Sequence, residues 1–286
     1  MMYKSTRGYP EKYSFSDAVL TGIAPDGGLF VPVEFPEFNS QDMDRLSKMN
    51  YCQLASEIFS QFADDFTKEE LETCVKNAYA DGSFPEEPTP LSVLSNTLSI
   101  LGLWHGPTSA FKDMALQILP EFMSVAIKKS KKHNKIAILT ATSGDTGKAA
   151  LAGFKDAENV KIMVFYPAEG VSEMQKTQMI TQEGENLSVI AVRGNFDDAQ
   201  TGVKNIFGDK EFAEKMKKRG YTLSSANSIN IGRLLPQVVY YYYAYFALVR
   251  NGNLKLGDKI NFAVPTGNFG NILACYYAAK TGLPVN

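Results

Sequence analysis

The sequence predicts an α/β fold in which parallel sheets are flanked by helices, and it places a mainly helical segment before that fold. The first observation is that short apolar runs alternate with amphipathic segments beyond Pro90, a pattern typical of parallel strands joined by helices. The second is that apolar residues recur every four positions upstream, at Leu54, Ile58 and Phe62, which indicates one apolar helix stripe.

Composition narrows the class of protein. The chain has 286 residues, of which 44% are hydrophobic, so it can bury the core of more than one domain. Its formal net charge of -2 gives no electrostatic reason to expect a nucleic acid or a membrane surface as partner. Because no apolar run is long enough to span a bilayer and the N-terminus has no apolar signal segment, we expect a soluble, cytoplasmic protein.

The cysteines and histidines argue against two kinds of site. Cys52, Cys74 and Cys275 lie far apart and form no Cys-x-x-Cys pair, so they predict buried thiols rather than a disulfide framework. The sequence contains only two histidines, His105 and His133, which is too few for a typical histidine-rich metal site. We therefore expect no bound metal.

The N-terminal elements are predicted from turns and caps. The start of the chain is rich in turns, and Ala24–Pro32 is predicted as an ordered loop that leads into a short strand. Residues 40–80 are predicted as helices, one of which begins with a capping box formed by Thr67 and Glu70. The stretch Phe84–Pro90 is the predicted linker, because its prolines cannot continue a helix.

Strands and helices are predicted to alternate after the linker. The predicted strands are Ser99–Trp104, Ile136–Ala141, Val160–Tyr166, Leu187–Val192, Tyr221–Ser225 and Ile260–Pro265. The predicted helices are 111–129, 146–156, 171–183, 196–206, 209–218, 231–249 and 270–280. In folds of this class, ligands bind where the carboxyl ends of the strands meet.

Two conspicuous segments are interpreted as structural. Lys128–Lys135 carries a basic run at a predicted helix end, and we expect it to be solvated. Tyr240–Phe246 is an aromatic run in a helix that is apolar almost all round, which is typical of a core or of an oligomer interface. Because the aromatic run also fits an oligomer interface, the sequence permits a homodimer.

Thr140–Ala150, with the sequence TATSGDTGKAA, is the first motif that could carry chemistry. A strand ends, a glycine-containing turn follows and a helix begins, so free backbone N–H groups can bind a carboxylate or a phosphate. Ser143 and Thr146 add hydroxyl donors. The motif is not a Walker A loop, because Thr142 replaces its first glycine and Ala149 replaces its Ser/Thr. A turn that only caps its helix is the alternative interpretation.

Pro265–Asn271, with the sequence PTGNFGN, is the second motif. It also follows an apolar run and opens a predicted helix. Gly267 and Gly270 let the backbone approach a ligand closely, and their N–H groups can hold a phosphate. The spacing is not Gly-x-Gly-x-x-Gly, so a dinucleotide fingerprint is absent.

The third motif, HGPTSAFKDMALQ, places a single lysine, Lys112, at a predicted strand–helix junction. Burying a charge is costly, so such a lysine is neutralised, paired or chemically used, whereas a lone lysine is more often a surface or ion-paired residue. A desolvated amine is a competent nucleophile for a carbonyl. Together, a reactive amine, a turn for a carboxylate and a loop for a phosphate are the parts that hold pyridoxal phosphate and an amino acid.

These three motifs, in this order, resemble the threonine synthases, which are pyridoxal-phosphate enzymes of the fold type II class. The stretches GIAPDGGLFVP, VSEMQKTQM, VRGNFDDAQ and NSINIGRLLPQ also resemble that family, and the resemblance covers essentially the whole chain. It implies two αβα domains behind a helical N-terminal domain. The implied boundaries are 1–88 for the N-terminal domain, 89–112 with 250–286 for an incomplete large domain that binds the cofactor, and 113–249 for the small domain.

The resemblance also implies roles for individual residues. Lys112 would bind the pyridoxal phosphate covalently, and Asp145 would lie near the cofactor's 3′-oxygen, where it needs a hydrogen-bonded proton or a compensating cation. The implied ligands of the cofactor phosphate are Gly267, Asn268, Phe269, Gly270 and Asn271. The implied substrate-binding residues are Ser143, Gly144 and Thr146 at the α-carboxylate, with Asn227 and Arg233 elsewhere on the substrate. Arg233 keeps two interpretations, a phosphate partner or a residue that holds a carboxylate between helices.

The implied reaction converts O-phospho-L-homoserine and water to L-threonine and phosphate, a lyase step of threonine biosynthesis. Another fold type II lyase, such as a dehydratase of threonine or serine, and a non-enzymatic relative that binds phosphate compounds or a partner are the alternatives. The family's chains continue well past the second glycine loop. We therefore expect a C-terminal part to be absent, which would complete the large domain's sheet and supply the hydroxyl that faces the pyridine nitrogen; without it, the fragment is expected to be less active or inactive.

Overall fold

The computed structural model describes residues 1–80, 82–130, 135–142, 144–266 and 268–286. The N-terminal elements are β1 (Tyr3–Ser5), α1 (Phe15–Thr21), β2 (Phe30–Pro32), α2 (Ser40–Ser47), α3 (Tyr51–Phe62) and α4 (Lys68–Tyr79). The strands β1 and β2 pair as an antiparallel ribbon. The loop predicted at Ala24–Pro32 does lead into a short strand, which is β2.

The helices predicted within residues 40–80 are confirmed, and side-chain caps explain where they begin. Asn39 and Asn50 cap α2 and α3 by accepting backbone N–H groups of the first turn. At α4, Thr67 Oγ1 accepts from Glu70 N at 3.2 Å, and Glu70 Oε2 accepts from Thr67 N at 2.7 Å. The predicted capping box is therefore present. The apolar stripe of α3 is fully buried, as its period predicts.

A short hairpin follows the linker. It consists of β3 (Leu91–Ser95) and β4 (Leu98–Leu101), which pair antiparallel. The strand predicted at Ser99–Trp104 is wrong in two respects. The strand β4 ends at Leu101 rather than at Trp104, and it pairs antiparallel with β3, its neighbour in sequence, instead of joining a parallel sheet. The two-residue connection between the strands allows this local pairing, which needs no crossover helix.

The helix predicted at 111–129 is two helices, α5 (Asp113–Leu116) and α6 (Leu119–Lys129). Pro120 explains the break, because it has no N–H and its ring clashes with the carbonyl four residues earlier, at Leu116. The basic run Lys128–Lys135 ends α6, and its residues 131–134 lie outside the described residues.

A four-stranded parallel sheet forms the centre of the remaining chain and confirms the predicted fold class. Its strands are β5 (Lys135–Ala141), β6 (Val160–Pro167), β7 (Leu187–Val192) and β8 (Tyr221–Ser224). They are ordered β7-β6-β5-β8, and every pair is parallel. The four strand predictions agree with these bounds to within one residue at each end.

Helices cover both faces of this sheet. They are α7 (Asp145–Gly153), α8 (Glu173–Ile180), α9 (Phe196–Gly208) and α10 (Lys210–Lys218). Successive residues of β5 face opposite sides, so Ile138 joins the main core with α7, whereas Leu139 packs with Ala199 and Val203 of α9. A sheet buried on both faces explains why β5 is apolar along nearly its whole length.

The last helices are α11 (Ile231–Arg250) and α12 (Gly270–Lys280). The aromatic run Tyr240–Phe246 of α11 is buried by α2, α3, α5 and α12 of the same chain, so its interpretation as core is confirmed. Its hydroxyls find partners there: Tyr241 donates to Asn271 O at 2.8 Å, and the Tyr242 hydroxyl lies 2.8 Å from Thr281 Oγ1.

The strand predicted at Ile260–Pro265 is wrong. Among the described residues, this segment makes a single bridge, between Ile260 and Val285, and its residues are exposed or half-buried. An apolar run becomes a strand only where a neighbouring strand can pair with it, and none lies beside this segment in the described chain. The domain boundaries expected at residues 88, 112 and 249 remain predictions.

Candidate active site

Lys112 lies directly before α5, and its amine points at the first turn of α7. Lys112 Nζ is 2.8 Å from Asp145 Oδ2 and 4.3 Å from the centre of the Phe111 ring. The Lys112 side chain is 18% exposed, whereas that of Asp145 is 46% exposed. The amine is therefore sheltered and reachable from one side, and its neutralising partner is the residue expected to face the cofactor's 3′-oxygen.

A close helix contact explains why these two residues meet. A Cβ atom on Gly153, the last residue of α7, would lie 2.0 Å from the carbonyl oxygen of Leu116, the last residue of α5. Only glycine allows this approach. The C-terminal ends of α5 and α7 therefore pack backbone to backbone. At the other ends of the same helices, Lys112, directly before α5, contacts Asp145, the first residue of α7.

A buried carboxylate that the sequence analysis did not single out, Asp113, holds the loop before Lys112. It accepts from Thr108 N at 2.8 Å and from Thr108 Oγ1 at 2.6 Å. Gly106 has no room for a side chain, since its Cβ would lie 2.5 Å from Asp113 Cβ, and Ser109 has a φ of 55°. Burial raises the pKa of Asp113, although the bonds from Thr108 oppose the shift. The sequence signal that could have identified Asp113 is its position directly after Lys112.

The turn that follows β5 is organised by Thr142. Its Oγ1 accepts from Gly144 N and from Gly147 N, both at 3.0 Å. A Cβ on Gly144 would lie 2.5 Å from Gln175 Oε1, the movable end of a long side chain of α8, so the amide of Gln175 packs directly against this turn. Thr146 is half-buried in the first turn of α7, beside Asp145. Ser143, the remaining predicted residue of this turn, lies outside the described residues.

Asn227 and Arg233 come from the loop between β8 and α11 and from the first turn of α11. Asn227 Nδ2 donates to Ala141 O, the last residue of β5, at 3.0 Å, so it lies at the carboxyl edge of the sheet. Arg233 is 3% exposed and donates from Nη1 to Ala226 O. Burial lowers the pKa of Arg233 to about 10, and the charge of Asp145 opposes this shift.

The Arg233 guanidinium is a buried cation without an ion pair in the described part of the chain. Its Nε has no hydrogen-bond partner there. One of the two interpretations of Arg233 was that it holds a carboxylate between helices. No such ion pair is observed among the described residues. A buried cation is costly unless an anion compensates it, which favours the other interpretation, an anionic ligand.

The second glycine loop contacts the loop between β8 and α11, the loop from which Asn227 comes. Thr266 Oγ1 donates to Asn271 Oδ1 at 2.7 Å, and Asn271 is 9% exposed. Asn268 is exposed, and Phe269 is 71% exposed. A Cβ on Gly270, the first residue of α12, would lie 3.3 Å from the Cβ of Ser228. Gly267 lies outside the described residues.

The predicted site residues that the structure describes thus lie around the carboxyl edge of the sheet, with Lys112 and Asp145 in direct contact. A cavity of about 410 Å³ lies elsewhere, at the amino ends of β5, β6 and β7, and is lined by Lys135, Asp156, Ala157, Asn159, Val160, Lys161, Glu185 and Asn186. None of the residues that line it belongs to the predicted site.

The family assignment follows from this geometry together with sequence comparison. Residues 83–285 match the family model described as pyridoxal-phosphate dependent enzyme. The chain belongs to this family. Residues 2–79 match a second model, described as the threonine synthase N terminus. The fold type II class and the cofactor, pyridoxal phosphate, are those expected from the motifs.

Individual relatives agree with the predicted resemblance. A curated threonine synthase of Schizosaccharomyces pombe is 40% identical over 99% of this chain and 55% of its own length. One of Methylobacillus glycogenes is 39% identical over 100% of this chain and 59% of its own. The solved threonine synthase of Brucella melitensis with bound pyridoxal phosphate superposes with a TM-score of 0.88 at 38% identity, and it covers 100% of this chain and 59% of its own. The chain thus spans a little over half the length of these relatives.

The described residues fit pyridoxal phosphate. Lys112 offers a sheltered primary amine for the aldehyde, and Asp145 is a carboxylate beside it. A Cβ at Gly270 would lie tightly against Ser228 Cβ, at 3.3 Å, so the loop that opens α12 favours bare backbone there, as a phosphate cradle does.

Proposed function

We propose that this chain carries the site of a threonine synthase, which converts O-phospho-L-homoserine and water to L-threonine and phosphate. The observation that carries the proposal is the buried guanidinium of Arg233, which has no ion pair among the described residues and lies within the electrostatic influence of Asp145, the partner of Lys112. A substrate that brings its own phosphate needs a second anion partner besides the cofactor phosphate loop. A dehydratase of threonine or serine needs none, so this observation favours threonine synthase between the two enzymes.

The proposed roles follow from where each side chain lies. Pyridoxal phosphate, when bound through Lys112, supplies an electron sink for charge that develops at the substrate Cα. The Lys112 amine, once released by the substrate amine, is the proposed base that removes the Cα proton. Asp145 orients that amine, since it already lies 2.8 Å from it.

The turn after β5 is the proposed carboxylate site. Gly144 and Thr146, together with Ser143, would bind the substrate α-carboxylate at the start of α7, where backbone N–H groups favour an anion. Asn227, from the loop before α11, and Arg233, from the first turn of α11, would bind and orient the leaving phosphate of the substrate, because Asn227 contacts the carboxyl edge of the sheet and Arg233 contacts the same loop.

The second glycine loop is the proposed site of the cofactor phosphate. Its residues are Gly267, Asn268, Phe269, Gly270 and Asn271. The hydrogen bond from Tyr241 to Asn271 O anchors this loop to the buried helix α11. An anchored loop keeps its N–H groups in place before the ligand arrives, which lowers the entropic cost of binding.

Two product assays on the same preparation test the proposal. Inorganic phosphate released from O-phospho-L-homoserine supports threonine synthase, whereas a 2-oxo acid formed from L-threonine without phosphate release supports the dehydratase. If the protein captures pyridoxal phosphate but turns over neither substrate, the assays are repeated on a chain extended past Asn286; turnover there supports the enzyme, and none supports the non-enzymatic alternative. The matched pair Arg233→Lys and Arg233→Met tests the phosphate role, because a charge-assisted pair is worth about 1.5–3 kcal/mol and its loss should raise KM roughly 10- to 100-fold.

Location and assembly belong to this proposal as well. Within the described residues, no helix is both long and apolar enough to cross a bilayer. We retain the cytoplasm as the proposed location of a biosynthetic lyase. The homodimer stays a prediction, and the aromatic run of α11 no longer supports it, because the same chain buries that run.

A further inference from the structure

The residues between β8 and α11, 225–230, form a loop that we call the junction loop. Asn230 ends it and is 0% exposed. Asn230 Nδ2 donates to Ser225 O within the loop and to Val19 O of α1, both at 2.9 Å. Asn230 Oδ1 accepts from Gly232 N at 2.9 Å, which caps α11. One buried amide thus joins the junction loop, α11 and a helix that lies 211 residues earlier in the chain.

The end of α1 lies directly against the junction loop. Gly22, which follows α1 with a φ of 75°, has no space for a side chain. Its Cβ would lie 3.0 Å from both Ser224 Oγ and Ser225 N, and 3.4 Å from Asn230 Nδ2. Because backbone groups are among these neighbours, the contact cannot adjust by moving a flexible side chain alone.

The opposite side of the junction loop faces the two functional loops. Asn227 is tied to Ala141 O, next to the turn that begins α7. Ser228 lies against Gly270, where a Cβ would come within 3.3 Å of it. The junction loop therefore lies between α1 and the second glycine loop, and it contacts α1 through backbone at Ser225 and Gly270 through the Ser228 side chain.

We propose that Asn230 is a positioning residue through which the N-terminal part of the chain sets the second glycine loop for the cofactor phosphate. Its hydrogen bond to Val19 O holds the junction loop on α1, its hydrogen bond to Ser225 O fixes the shape of the loop, and Ser228 then supports Gly270. The N-terminal part thereby contributes to cofactor retention without contacting the cofactor. The inference rests on the proposed phosphate role of Gly267–Asn271.

Asn230→Asp isolates this role. Aspartate has the same shape and keeps the oxygen that caps Gly232 N, but it loses both donors and places an oxygen against two carbonyl oxygens. The probes are pyridoxal phosphate and pyridoxal, which has the same aldehyde but no phosphate. Capture by Lys112 is measured for each from the absorbance change and from borohydride-fixed label on the Lys112 peptide.

We expect the preference of wild-type protein for pyridoxal phosphate over pyridoxal to fall about tenfold in Asn230→Asp, with pyridoxal capture unchanged. Gly22→Ala disturbs the same contact from the α1 side and should reduce the preference in the same direction. Asn50→Asp is the matched control, since Asn50 is an exposed cap of α3 where aspartate serves equally well, and it should keep the wild-type preference.

Each other outcome overturns the inference in a recognisable way. An unchanged preference in both variants would mean that the contact does not reach the phosphate loop. Equal weakening of both probes would indicate a general loss of structure rather than positioning. Wild-type protein that does not prefer pyridoxal phosphate would refute the proposed phosphate loop itself, and this result is visible before any variant is made.

Discussion

Replacing Gly153 by alanine tests whether the packing of α5 on α7 positions Lys112. The new Cβ would lie 2.0 Å from Leu116 O and 2.9 Å from Leu116 C, whereas ordinary contacts begin at 3.4 Å. The two helix ends must therefore separate by roughly 1.4 Å. The obstacle is backbone, so no side-chain rotation relieves it.

The magnitude is set by two opposing effects. Alanine is favoured over glycine in a helix by about 1 kcal/mol, whereas overpacking of this kind costs about 1–3 kcal/mol. Gly208→Ala separates the two effects, because Gly208 is likewise the last residue of its helix, α9, and no atom of the described residues lies within 4 Å of its Cβ position. The difference in unfolding free energy between the two variants should then equal the overpacking cost, about 1–3 kcal/mol.

Urea unfolding followed by circular dichroism measures this difference. We expect a lower midpoint than wild type for Gly153→Ala, or one near it, and a higher midpoint for Gly208→Ala. Capture of pyridoxal phosphate should slow only in Gly153→Ala, because the separation of α5 from α7 pulls Lys112 from Asp145. If both variants are stabilised alike, the close contact is not present in solution and the reasoning fails.

Three further predictions concern single groups. Lys112→Ala should abolish the borohydride-reducible link to pyridoxal phosphate while circular dichroism stays unchanged; a remaining label would assign the amine to another residue. Burial raises the pKa of Asp113, so as pH rises above about 4 the unfolded chain loses this proton before the native one, and the free energy of unfolding falls. Asp113→Asn should flatten that part of the stability curve, and an unchanged slope would contradict it. Burial also raises the pKa of the Cys74 thiol to about 12. At pH 8 a thiol reagent should therefore label half-buried Cys52 before Cys74. Mass spectrometry that finds Cys74 labelled in native protein would refute the burial of Cys74.

The strands of the sheet were predictable because their signal is local. Each of β5 to β8 is a short segment of strand-forming residues between polar turns, and in β5 burial on both faces leaves the apolar run almost uninterrupted. The same is true of α4, whose start is fixed by the Thr67 and Glu70 side chains. Where neighbouring residues alone decide the structure, sequence patterns predicted it to within about a residue.

Most of the errors concern features that depend on what lies nearby in space, whereas the helix break at Pro120 has a local cause. Ile260–Pro265 has the composition of a strand but has no partner strand among the residues that the structure describes, and composition carries no information about partners. The break at Pro120 was visible in the sequence, yet the apolar period of the helix outweighed it. Asn230 was not singled out, because this asparagine becomes important only when folding brings Val19 to it from 211 residues away, whereas Asp113 had a local signal in its place directly after Lys112.

The arrangement of helix ends has an electrostatic consequence for a chain of net charge -2. The N-termini of α7, α11 and α12 meet at one edge of the sheet, as the contacts of Asn227 with Ala141 and of Ser228 with Gly270 show. Each helix macrodipole places about half a positive charge at its N-terminus. This local potential attracts anions to an otherwise acidic protein. Because peptide dipoles do not titrate, the attraction persists at every pH at which the helices stay folded, and added salt weakens it only as screening shortens its range.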